Sequence, residues 1–185
     1  GGINGAYQFN GMGSGGDLDS LNDQGNNADV SFEIWFRPSD LTGSEVIFET
    51  GGGNGVGIAL GGGTADPNIP DSHVVFSVTQ NSGGTQTARV SEDLTPYGVD
   101  QFIQLVGTFE ISTDTATLYI NGAEVGDATA AAAIGDWTGS DAAGIGKFGG
   151  SNMGGFGGQS HGFTNFEGEI AIFRVYDRLL TDTEV

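Results

Sequence analysis

The chain has 185 residues, 35 of them glycine, with no cysteine and a formal charge of −19 from 24 acidic and 5 basic side chains. That balance excludes nucleic-acid binding through phosphates and attraction to anionic membranes, which both need Lys and Arg clusters; the missing cysteines exclude disulfides and thiol chemistry. The glycines follow no period and alternate with aromatic and β-branched residues, which points to short strands and glycine-rich loops in a single domain rather than to disorder.

Ala6–Phe9 reads as a short first strand, followed by a polar, acidic loop over 10–29. Val30–Arg37 alternates cleanly, with Val30, Phe32, Ile34 and Phe36 on one face and Ser31, Glu33, Trp35 and Arg37 on the other. Pro38 ends its pairing, since it has no N–H to donate. Val46–Thr50 and Val56–Leu60 are further strands, and His73–Gln80 with Thr85–Ser91 forms a hairpin. Phe102–Glu110 follows. Then Thr115–Val125 carries the strongest turn signal, Asn121-Gly122 between two alternating runs, where both residues must take positive φ. Residues 127–163 lack regular period, and Glu167–Asp177 is the closing strand. Thr181–Glu184 has the form of a capping box whose helix is missing. With no initiator Met and a stop at Val185, the chain is expected to be a piece of a longer extracellular protein. No apolar run is long enough to span a bilayer. Ten to twelve strands without interleaved helices predict an all-β fold, a two-sheet antiparallel β-sandwich.

The segments YQFNG (7–11), VSFEIWFRP (30–38), QFIQLVGTFE (101–110), ATLYINGAEV (116–125), GIGKF (144–148) and FEGEIAIFRVYDRLLTDTEV (166–185) occur in order. Together they resemble the laminin G-like, concanavalin A-like lectin/glucanase superfamily. The resemblance covers nearly the whole chain and implies one jelly-roll domain over 1–185, often with bound calcium, serving as a carbohydrate- or protein-binding module. Two positions depart from the family pattern: Asn10 stands where an Asp is usual, and Ala171 where the closing strand often carries Asp. Each change removes a carboxylate that a metal could use.

Three constellations could carry chemistry. Asp17, Asp19, Asn22 and Asp23 fall within one acidic loop and are the candidate ligands for Ca2+, which wants several loop oxygens, although the spacing is not that of an EF-hand. Glu167 and Glu169 form a carboxylate pair of the kind glycosidases use, but Ile170-Ala171-Ile172 is apolar where sandwich glucanases continue with acids, so a non-enzymatic role is expected. Sugar recognition generally combines an aromatic platform with planar polar groups. Trp35, Trp137, Tyr97, Phe156 and Phe163 are the aromatic candidates, and Asn152, Gln159, His161 and Asn165 could line a rim in the glycine-rich loop. From these, Trp35, Trp137, Asn152, Gln159 and His161 are taken as the ligand-binding set. The expected function is extracellular or cell-surface binding of a glycan or an extracellular protein. The alternative is a structural or adhesive role through self-association in a larger assembly.

Overall fold

The computed structural model describes residues 5–12, 15–17, 28–80, 85–150, 152–157 and 161–185, with only the backbone of Gly16 and Asp17. Thirteen strands lie among them: β1 Tyr7–Asn10, β2 Gly16–Asp17, β3 Val30–Pro38, β4 Glu45–Glu49, β5 Gly55–Leu60, β6 His73–Thr79, β7 Thr87–Asp93, β8 Ile103–Glu110, β9 Thr115–Ile120, β10 Ala123–Thr129, β11 Gly144–Ile145, β12 Thr164–Asn165 and β13 Glu167–Tyr176. They form two sheets. One has six strands in the order β1-β13-β3-β8-β9-β10; the other has seven, in the order β2-β11-β4-β5-β6-β7 with β12 beside β4. Pairing is antiparallel except for the two-residue β12–β4 contact. The expected antiparallel sandwich is thus the observed architecture.

Period-2 alternation builds the core. Phe32, Ile34 and Phe36 on β3 meet Phe48, Ile58, Leu60, Val74 and Phe76 of the facing sheet, all fully buried. Phe32 is central, its ring 5.5 Å from Phe48, 6.3 Å from Phe76 and 5.7 Å edge-on to Trp137. β13 keeps Phe173 facing inward, 4.6 Å from Phe48. To do so it passes through an irregularity between Ile170 and Ile172, and Ala171 is the residue this places out of register. The Asn121-Gly122 turn forms as expected, with φ of 51° and 81° at the two residues. β10 runs to Thr129, four residues past its predicted end, across a bulge between Glu124 and Gly126.

The last residues form a turn rather than a helix. Thr181 gives its backbone N–H (3.0 Å) and its hydroxyl (3.0 Å) to Glu184, and the Glu184 N–H returns to the Thr181 carbonyl at 2.8 Å. This segment lies on the outer face of the six-stranded sheet. Ser31, fully buried, donates its hydroxyl to the Arg178 carbonyl (2.8 Å) and accepts the Leu180 N–H (2.9 Å). Leu180 packs on Val106 and Tyr119.

Candidate functional site

The densest convergence of polar groups lies on the outer face of the six-stranded sheet. The register puts Arg174 opposite Glu33, and Gln104 opposite Trp35. Glu33 is 6% exposed, and its carboxylate is saturated. Oε1 accepts the Trp35 indole N–H at 2.9 Å and the Gln104 amide at 3.3 Å, while Oε2 accepts Arg174 at 2.9 Å and the Tyr176 hydroxyl at 2.8 Å. Burial alone would push its pKa up, but the bonds from Trp35, Tyr176, Arg174 and Gln104 together hold it below the usual carboxylate range. Such a group neither gives nor takes a proton near neutrality. Its effect is to fix the half-buried Trp35 and Tyr176 and the exposed Arg174 in one orientation. The Asn121 turn fixes Gln104 in the same way: the Gln104 N–H donates to Asn121 Oδ1 and its carbonyl accepts the Asn121 N–H, both at 2.9 Å. Further along the same face, Arg37 pairs with Glu169 at 2.7 Å and lies 5.4 Å from the centre of the Phe102 ring.

The outer face of the seven-stranded sheet is occupied by the chain itself. Met153, Phe156 and Phe163 cover Val46, Ala59 and Val75. Close approach is possible because β5 carries Gly57; a Cβ there would stand 2.8 Å from the Phe156 ring. Two ionisable side chains, one buried and one half-buried, fasten the covering segment. Glu49, fully buried, accepts the N–H groups of Gly51 (2.5 Å), Gly149 (2.8 Å) and Gly154 (3.1 Å). Burial pushes its pKa up to about 7 in spite of these amides, and Asp141 adds to the rise. Arg89 donates to Ser77 (3.1 Å) and to the Gly155 carbonyl (3.2 Å), faces Asp66 at 3.4 Å, and lies 4.6 Å from the Phe156 ring centre.

This arrangement of sheets and covering loop has counterparts. Residues 10–185 match the family model described as the concanavalin A-like lectin/glucanases superfamily. The chain belongs to that superfamily. No curated protein matches the sequence. Among solved structures, it is similar to the NanB sialidase from Streptococcus pneumoniae, in a K499G mutant form, with TM-score 0.70 at 16% identity over 97% of this chain and 26% of that one. It is similar also to the binding domain of botulinum neurotoxin serotype D/C, with TM-score 0.66 at 16% identity over 97% of this chain and 41% of that one. The chain therefore spans only about a quarter to two fifths of these structures, and the likeness is one of fold.

Within this superfamily fold the expected ligand set is divided. Trp35 is on the six-stranded face. Asn152, half-buried, and His161 belong to the segment over the opposite sheet, away from Trp35. His161 takes φ 48°, its carbonyl accepts the Thr64 N–H at 2.7 Å, and its Nε2 is buried without a partner among the described residues. Trp137 must be corrected. It is 3% exposed, packs edge-on against Phe32, and donates its indole N–H to the Ala28 carbonyl at 3.0 Å, so it is core and presents no surface to a ligand. Phe156 and Phe163 are likewise interior, with ring centres 4.9 Å apart. Tyr97 packs against the main core, and Asn165 sits in β12.

Gln159, Asp19, Asn22 and Asp23 lie outside the described residues, as does the side chain of Asp17. Among the described residues no group of three or more His, Asp or Glu could hold a metal ion. Asn10 uses its side-chain oxygen in a local turn, accepting the Met12 N–H at 3.0 Å. Of the pair Glu167 and Glu169, only the second has its carboxylate in an ion pair among the described residues. Glu169 pairs with Arg37, and the Glu167 backbone N–H donates to Glu45 at 3.0 Å. The residues missed in the sequence are Glu33, Gln104, Arg174 and Tyr176. Their signal is a pair of i, i+2 patterns, Glu-x-Trp on β3 and Arg-x-Tyr on β13, which become one cluster once the two strands are neighbours.

Proposed function

We propose that this domain is a non-catalytic glycan-binding module whose recognition surface is the outer face of the six-stranded sheet around Trp35. One observation carries the reading. A half-exposed indole, a guanidinium, a primary amide and a tyrosine are held in fixed orientation by a single saturated carboxylate. Aromatic faces flanked by planar hydrogen-bonding groups suit a sugar ring, which has apolar C–H faces and hydroxyls at its edge, and preorganisation lowers the entropy lost on binding. The carboxylates favour binding over hydrolysis. Glu33 has every acceptor position engaged, Glu169 is ion-paired, and Glu49 is enclosed by backbone amides.

The structural relatives support a glycan or a protein as the partner. One is a sialidase; botulinum neurotoxin DC binding domains with TM-scores of 0.56 and 0.59 are seen in complex with SialylT and with rat synaptotagmin II. The reading places the domain outside the cell or on its surface, where such ligands are met. The test is a glycan array with the intact chain, repeated with Trp35→Ala. Selective binding that is lost in a variant of unchanged melting temperature supports the proposal; binding unaffected by Trp35→Ala overturns it.

A second reading, adhesion through self-association, is favoured by the edge strand β1, where Tyr7 is 80% exposed and Met12, just beyond, 87%. Concentration-dependent sedimentation, abolished by Tyr7→Ser with Met12→Ser, would support it; a monomer at all concentrations would dismiss it.

A further inference from the structure

The chain has five cationic side chains, Arg37, Arg89, Lys147, Arg174 and Arg178, against 24 acidic ones. All five lie among the described residues, and each already has a partner. Arg37 is paired with Glu169 at 2.7 Å, Arg174 with Glu33 at 2.9 Å and Arg178 with Glu184 at 2.8 Å. Arg89 is held against Asp66, Ser77 and Gly155 with its side chain 18% exposed. Lys147 is engaged as well.

From this we infer that the Trp35 surface selects neutral glycans and rejects acidic ones, an inference that rests on the glycan-binding reading above. A carboxylate or sulfate on a sugar needs a cation it can bind without breaking another pair. An anion drawn to Arg174 would meet a guanidinium whose charge Glu33 already balances at 2.9 Å. That carboxylate is held beside it by Trp35, Gln104 and Tyr176, so the anion would gain no unbalanced cation and would face a fixed like charge. To release Arg37, the site would have to expose Glu169 to the incoming anion. The surrounding charge of −19 opposes an anion's approach besides. A neutral sugar requires none of these exchanges. Arg174 gives Glu33 a bond from one nitrogen only, so its guanidinium keeps other N–H donors for hydroxyls, and the Gln104 amide oxygen accepts no bond from the described residues. Donor and acceptor thus flank an aromatic ring, as a hydroxyl that both gives and takes a hydrogen bond requires.

The experiment is affinity gel electrophoresis of the intact chain against neutral polymers (β-glucan, xylan, mannan) and acidic ones (alginate, hyaluronan, heparin), at about 50 and about 500 mM NaCl, a range over which screening of exposed charges changes greatly. The expected result is retention by at least one neutral polymer, with apparent Kd changing less than about twofold with salt, and no retention by the acidic set. Preferential retention by an acidic polymer, weakening with salt, overturns the selectivity while leaving glycan binding standing. Retention by no polymer overturns both.

Discussion

Truncating Glu33 to alanine removes the one group that Trp35, Gln104, Arg174 and Tyr176 share. The Arg174 side chain is 54% exposed and can turn to water, so its bond contributes little to the loss. Trp35 and Tyr176 are half-buried and have less access to solvent. Hydrogen bonds to a charged group contribute about 1.5–3 kcal/mol each; two of them, less the desolvation that Glu33 no longer suffers, give a destabilisation of about 2–4 kcal/mol. For a domain of this size that corresponds to a fall in Tm of roughly 5–15 °C. Urea unfolding followed by tryptophan fluorescence measures it directly.

The pH dependence adds a second arm. The folded pKa of Glu33 lies below its unfolded value of 4.5, so its contribution is present above that value and is lost as pH falls through the folded pKa. The gap between wild type and Glu33→Ala should therefore narrow in acid. A loss under about 0.5 kcal/mol at pH 7, within the range of an ordinary surface substitution, would refute the argument, as would a gap that stays constant into acid.

Three further outcomes follow from the same geometry. Glu49 and Glu45 both have folded pKa values raised by burial to about 7, so their contributions are complete below 4.5 and lost as pH rises through 7; Glu49→Gln should flatten the decline in urea stability between pH 5 and 8 by on the order of 2 kcal/mol, and an unchanged slope would contradict it. Gly57→Ala sets a Cβ 2.8 Å from the Phe156 ring and should lower stability by about 1–3 kcal/mol, with hydrogen exchange rising in residues 149–156; unchanged exchange there would show that the covering segment is not seated on Gly57. If the Asp17–Asp23 loop holds calcium, as its composition invites, millimolar Ca2+ should raise Tm and chelator should lower it; no shift in either direction removes the metal.

Much of the fold was legible because alternation is a direct imprint of a half-buried sheet. The inward set of β3 is the expected set, and Asn121-Gly122 turns as its positive φ values require. The outward set was less legible. Ser31 and Glu33 stand on the face opposite the apolar alternation, yet both are buried, one beneath the C-terminal turn and the other inside a shell of donors. Neither cover is local in sequence: Ser31 is bonded to residue 180 and Glu33 to residue 176. Trp137 and Phe156 lie in segments without periodicity, where an aromatic that fills a gap in the core cannot be told from one that waits for a ligand. Among the described aromatic candidates, Trp35 is the one that is half-exposed with its indole N–H held by a carboxylate shared with other polar side chains.

The two tryptophans offer the most direct test of that assignment, because each contributes one indole N–H resonance. In a 15N-correlated spectrum titrated with a glycan selected on the array, the account predicts that the Trp35 indole signal shifts with saturation while that of Trp137, bonded to Ala28 inside the core, stays in place. A saturable shift at Trp137 alone, or a bound glycan that moves neither signal, would contradict the claim that the Trp35 face is the recognition surface.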